Sequence, residues 1–220
     1  MINLAKNKGG ILAVRISKET VIQRLKNREQ GIIDERYMRK YAVIIPIIEK
    51  KEGLEVLFEV RAKHMKRQPG EICFPGGKID RQDASPHAAA IRELCEEVGI
   101  SENQVTLLGK LDRIVSPFNQ VIFPFSGVLN TTAFSPNKEE VDELFSVPLS
   151  FFLSHDPERY DVELSVQPGE DFPYGSIPGG KNYPWNKGFV PEYFYYYQNY
   201  IIWGITARII KHFAEEIYES

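Results

Sequence analysis

Glu93, Glu96 and Glu97 stand at spacing i, i+3, i+4, which puts three carboxylates on one side of any helix that carries them. Acids so crowded repel one another unless a cation sits among them. Arg92 can pair with Glu96 one turn on, but it is one charge against three. Clustered hard oxygen ligands suit Mg²⁺ or Mn²⁺, held by a few carboxylates together with substrate phosphates. The candidate metal ligands are therefore Glu93, Glu96 and Glu97; the competing reading is a solvated acidic face. Just upstream lie Gly76 and Gly77, residues that let backbone approach a ligand or metal closely.

Local signals place these acids on a short helix. Ser85 is a good N-cap and Pro86 suits the first helical position. Ala88, Ala89, Ala90, Leu94 and Glu97 favour helix. Gly99 stands where a left-handed cap belongs, so the helix is expected to run from Pro86 to Val98. Ala90, Leu94 and Val98 form its apolar stripe, with Ile91 and Cys95 beside it.

The whole arrangement resembles the Nudix box, G-x5-E-x7-R-E-U-x-E-E-x-G-U with U aliphatic. Gly77, Arg92, Glu93, Leu94, Glu96, Glu97, Gly99 and Ile100 match it. Asp83 stands where the first Glu is expected, and the stretch from Gly77 to Arg92 is one residue longer than the general pattern. That longer spacing is similar to one branch of the family, the coenzyme A diphosphatases. The run Arg61-Ala62-x3-Lys66-x3-Gly70-Glu71-Ile72-Cys73-Phe74-Pro75-Gly76-Gly77 resembles the second signature of that branch, with Lys66 in place of Arg.

The resemblance implies hydrolysis of the diphosphate of coenzyme A or its derivatives, giving 3′,5′-ADP and 4′-phosphopantetheine. It implies Mg²⁺ or Mn²⁺ as cofactor and a small nucleotide as partner. Arg61, Lys66 and Arg67, with Gly76 and Gly77, are the expected substrate contacts, because a diphosphate with an added ribose phosphate calls for cations. Arg92 is expected to orient glutamates, and Asp83 to hold a water or an outer-sphere ligand. Glu96 or Glu140 is expected to take the proton of the attacking water. Nudix proteins often supply a further carboxylate from the region of Glu140; a helix-start acid is the plainer reading of that residue. ADP-ribose or dinucleoside polyphosphates are the alternative substrates. A non-catalytic nucleotide-binding module is a rival of another class, against which the intact Arg-Glu and Glu-Glu pairs argue.

Bulk properties set the frame. The chain has 220 residues, 43% hydrophobic and 26% charged, which suits one domain with decorations. A net charge of −3 offers no general attraction to nucleic acid. No run of 18 apolar residues suggests a membrane span, and the first residues lack an apolar signal core. Two cysteines make no disulfide framework, so the cytoplasm is the simplest compartment, and Cys73 and Cys95 are expected in the core. A monomer or a homodimer is expected.

The elements needed to position the box follow in order. Residues 1–39 are expected to be a packed extension, with Ser17 capping a helix whose inner side carries Val21, Ile22 and Leu25. Residues 40–220 are the expected Nudix domain. Tyr41 to Ile48 and Leu54 to Arg61 read as paired strands joined at Lys50-Lys51-Glu52-Gly53, with Pro46 marking an edge or a bulge. Strands are expected at residues 71–74, 105–111, 121–129, 160–167 and 192–197. A loop at 112–119 is expected over the site, a helical turn at 148–153 and a terminal helix from Tyr200 to Tyr218. The terminal stripe is Ile201, Ile205, Ile209 and Phe213. The irregular stretch 169–191 is either functional or mobile. With the resemblance, the fold expected is α/β: an α/β/α sandwich around a mixed β-sheet.

Overall fold

The computed structural model describes residues 16–218, which divide into two units at Tyr37/Met38. In the first, helix α1 (Lys18–Leu25) starts where Ser17 accepts from the Thr20 backbone N–H. Val21, Ile22 and Leu25 are all exposed on it, although the apolar spacing pointed to an inner side.

The second unit is built on β1 (Arg39–Lys50), β2 (Gly53–Arg61), β3 (Ile72–Cys73), β4 (Gly76–Lys78), α2 (Pro86–Val98), β5 (Val105–Lys110), β6 (Ile114–Ser116), β7 (Gln120–Leu129), β8 (Val141–Pro148), α3 (Leu149–Ser154), β9 (Glu158–Leu164), β10 (Gly188–Tyr197), β11 (Tyr200–Trp203) and α4 (Gly204–Tyr218). Among the described residues the main sheet has eight strands in the order β3-β2-β1-β7-β5, with β4 on β1, β6 on β7 and β8 on β2. It is mixed: β1 and β7 run parallel while their other partners are antiparallel.

Alternation along β1 explains the layers. Ala42, Ile44 and Ile48 face α2 and join Ala89, Ala90, Leu94 and Val98 in one core. Ile45 and Ile47 face the other way and join Phe58, Phe145, Phe152, Ile210 and Phe213 in a second. Both faces of the sheet are thus covered, the sandwich expected from the sequence.

Several local expectations are corrected. Pro46 lies in a central strand, not at an edge. It is tolerated because β1 changes partner there: residues 41–43 pair with β4 and residues 47–50 with β2, so the missing N–H falls in the gap. Residues 114–116 of the expected loop form β6, which turns back on β7 through Asn119 at φ 60. Gly76 and Gly77, upstream of the box, form β4 with Lys78. Glu140 precedes a strand, not a helix, and Tyr200–Trp203 form β11 before the terminal helix begins. That helix buries Ile209, Ile210 and Phe213, whereas Ile201 and Ile205 are exposed. The last strands make a separate sheet, β11-β10-β9, which sequence pattern alone did not separate from the first. No described helix is long and apolar enough to cross a membrane.

Candidate active site

Helix α2 spans the predicted residues, and its ends explain the site. The Ser85 hydroxyl accepts from the Ala88 backbone N–H, and Gly99 caps the far end at φ 72. The terminal carbonyls of α2 are taken up from outside: the backbone N–H groups of Ser135 and Asn137 donate to Val98 and Glu97, at 3.1 and 3.0 Å. This docks the 130–140 loop on the helix and brings Glu140 to its acids. The Ala62 N–H then donates to the Glu140 carbonyl at 2.8 Å, tying the same loop to the end of β2.

The three box glutamates occupy three environments. Glu97 is buried at 4% exposure, and its Oε2 accepts the Gly76 backbone N–H at 2.8 Å. Glu93 is half-buried against Gly77, where its carboxylate fills the space a Cβ would take. Glu96 is largely exposed and paired with Arg92 at 3.2 Å. Arg92 gathers three acids: Nε and Nη2 donate to the two oxygens of Asp83 at 3.0 and 3.2 Å, Nη2 also meets Glu93 at 3.0 Å, and Nη1 meets Glu96. Asp83, expected to hold a water, is instead the fixed anchor of Arg92, and its Oδ2 also accepts the Asp80 N–H at 2.8 Å. Arg92 and that backbone bond lower its pKa, while Asp83 in turn raises that of Arg92.

The remaining acids carry the opposite strain. Burial first, then Glu59, Glu93 and Glu140, push the Glu97 carboxyl up to about 9, against the pull of the Gly76 N–H. Burial, Glu96 and Glu140 raise Glu93, against the pull of Arg92. Glu59, on β2, is an acid to which the sequence analysis assigned no role. It is 1% exposed; its Oε1 accepts from the Cys73 thiol at 3.1 Å, and its Oε2 has no hydrogen-bond partner. The signal for it was a charged residue two positions after Leu57 on a strand whose two faces are both buried. Among the described residues, no three carboxylate, imidazole or thiol groups already converge closely enough to hold a metal ion.

Beside them opens a cleft of about 570 Å³. Arg61, Arg67, Gly76 and Gly77 line it, with Cys73 on its wall, so Cys73 does not belong to the closed core. Lys66 stands exposed on the loop and is not a wall residue. Tyr41, Phe74, Ile205 and Ile209 supply apolar surface. The loop that carries Arg67 is held by Lys63–Asp142 and His64–Glu139 contacts, each at 3.7 Å.

Two arginines line the cleft, and Gly76 and Gly77, which meet Glu97 and Glu93, join it to the acids of the box helix, an arrangement suited to binding an anionic phosphorus anhydride. The model of the NUDIX domain family matches residues 38–163, and the chain belongs to that family. It is a Nudix hydrolase, acting on phosphorus anhydrides. It is 39% identical over 134 residues to the peroxisomal coenzyme A diphosphatase NUDT7 of Mus musculus, covering 60% of this chain and 56% of that protein. The match therefore spans little more than half the length of that relative. It is 34% identical over 180 residues to the uncharacterized Nudix hydrolase NudL of Enterobacter sp. (strain 638), covering 81% of this chain and 83% of that one. Among solved structures, a MutT/nudix family protein from Enterococcus faecalis is 17% identical with a TM-score of 0.45, over 92% of this chain and 70% of that chain.

Proposed function

We propose that this chain hydrolyses the diphosphate of coenzyme A or its derivatives with the help of Mg²⁺ or Mn²⁺. The observation that carries the reading is the cleft, in which Arg61 and Arg67 share one opening with Gly76 and Gly77 beside the box acids. Its volume suits a nucleotide-sized ligand. The likeness to a coenzyme A diphosphatase supports the choice of substrate.

The donor set fits a hard divalent cation. Burial first, and then neighbouring acids, raise Glu93 and Glu97, and a cation would relieve the part that is repulsion. Glu93, Glu96 and Glu97 would hold it. Such an ion polarises a diphosphate and lowers the pKa of bound water. The chain does the rest. The Gly76 N–H holds Glu97 in place, and Arg92, anchored on Asp83, orients Glu93 and Glu96. Arg61 and Arg67 bind substrate phosphates, with Lys66 adding charge from the loop. Glu96 is already engaged by Arg92, whereas among the described residues the Glu140 carboxylate has only a long contact from Asn137 Nδ2 at 3.4 Å. Glu140 is therefore the base that takes the proton of the attacking water.

A substrate panel with Mg²⁺ and Mn²⁺ tests the reading: coenzyme A, 3′-dephospho-coenzyme A, ADP-ribose and diadenosine polyphosphates. Coenzyme A is expected to exceed its 3′-dephospho form in kcat/KM by about tenfold or more, the cost of one charge-assisted contact. Equal values for the two, or a preference for ADP-ribose, would refute the substrate and leave the acid centre intact.

A further inference from the structure

Among the described residues, Glu59 is the one buried acid near the box helix that the mechanism above does not use. It comes from β2, opposite Cys73 on β3 and Leu144 on β8, so strands enclose it on both sides. Leu57, two residues earlier on the same face, packs in the core shared with α2, so Glu59 points to the α2 side of the sheet. Of the charges that bear on Glu97, that of Glu59 is the strongest, and Glu93 and Glu140 bear on Glu59 in turn.

A carboxylate 1% exposed is costly unless every oxygen is satisfied. Cys73 satisfies one oxygen; the other has no partner among the described residues. Arg61 is the opposing charge that bears on Glu59, yet among the described residues the two make no ion pair and the Arg61 Nε is likewise unpartnered. A purely structural acid at this position would be expected to close a pair with that arginine. The pair stays open, and the acid with the free oxygen lies on the α2 side of the sheet, where the charges of Glu93, Glu97 and Glu140 bear on it.

We propose that Glu59 is a further ligand of the cation centre, its free Oε2 completing from the sheet the set of carboxylates that α2 supplies from the helix. The inference rests on the metal reading of the box acids. Cys73 is then a positioning residue: its thiol, kept protonated by burial and by the charge of Glu59, holds Oε1 and leaves Oε2 free for the cation. Ligands from two elements rather than one helix also give the centre rigidity, because α2 and β2 are packed into the same core.

The test is Mn²⁺ binding without substrate, read from the electron paramagnetic resonance signal of free aquated Mn²⁺. Wild type, Glu59→Gln and Glu97→Gln are compared, with melting in EDTA as the check on folding. Loss of a ligand should weaken Mn²⁺ at least about tenfold. Glu59→Gln is expected to show that loss while its metal-free melting temperature does not fall, since a buried charge is removed. Wild-type affinity in Glu59→Gln beside a loss in Glu97→Gln overturns the role of Glu59 and leaves the centre standing. Wild-type affinity in both variants overturns the metal reading and this inference with it. If Glu59→Gln does not fold, Glu59→Asp takes its place: it keeps the charge, draws the carboxylate back by one methylene, and is judged by the same tenfold criterion.

Discussion

Gly77→Ala would set the placement of one carboxylate against an otherwise unaltered fold. A Cβ built on Gly77 stands 2.5 Å from Glu93 Oε2 and closer still to the rest of that carboxyl group. An ordinary carbon–oxygen contact is about 3.4 Å, so the carboxylate must retreat by roughly 1 Å. A displacement of that size in a catalytic group costs about 10²-fold in rate, or about 2.7 kcal/mol of barrier. What obstructs the new methyl is the far end of a flexible side chain, and Gly77 has no left-handed backbone to strain. The melting temperature should therefore move by only a few degrees. Gly76→Ala is the contrasting variant. There the new Cβ would meet the backbone of β1, at 2.7 Å from Val43 Cα and closer to the Ala42 carbonyl oxygen, which cannot step aside. That variant should lose stability as well as activity. The assay is steady-state hydrolysis of coenzyme A beside thermal melting for both proteins. A Gly77→Ala enzyme with kcat/KM within about threefold of wild type, correctly folded, would refute the requirement for Glu93 at its observed place.

Other outcomes follow from the same geometry. The Glu97 carboxyl sits at about 9 in the folded protein against an ordinary value of 4.5, so the folded state binds the extra proton between those values. Stability from this group is fully present below about 4.5 and is lost as pH rises towards 9. Metal-free wild type should thus melt progressively lower from pH 5 to 9, and Glu97→Gln should flatten that trend; parallel curves for the two would exclude Glu97 as its source. Arg67, a wall residue of the cleft, should when changed to Ala raise KM more than it lowers kcat, whereas Lys66→Ala should have the smaller effect because Lys66 is outside the wall. Equal effects of the two would mean that the loop rearranges when substrate binds.

How much of this was legible in the chain depends on how local each signal was. The bounds of α2 were, because Ser85, Pro86 and Gly99 act through bonds that close within a few residues. Its apolar stripe was too, and with it the packing of Ala90, Leu94 and Val98 against the sheet. The β1–β2 hairpin was set by a turn whose observed pairing, Lys50 with Gly53, follows from adjacent residues. The grouping of Arg92 with its glutamates came from helical spacing alone.

Tertiary structure decided what spacing leaves open. Equal helical positions did not make the three glutamates equal: Glu97 is buried because β4 offers it the Gly76 N–H, and Glu96 faces water because nothing covers it. Asp83 became the anchor of Arg92 only through the loop that returns it to the helix. Pro46 could occupy a central strand because β1 exchanges partners there, a matter of which strands arrive and not of the proline. Glu59 reads in the sequence as one more charge in a strand. Only when β3, β8 and α2 close around β2 does it become a buried carboxylate with a free oxygen, since burial and hydrogen-bond partners are properties of residues far apart in the chain.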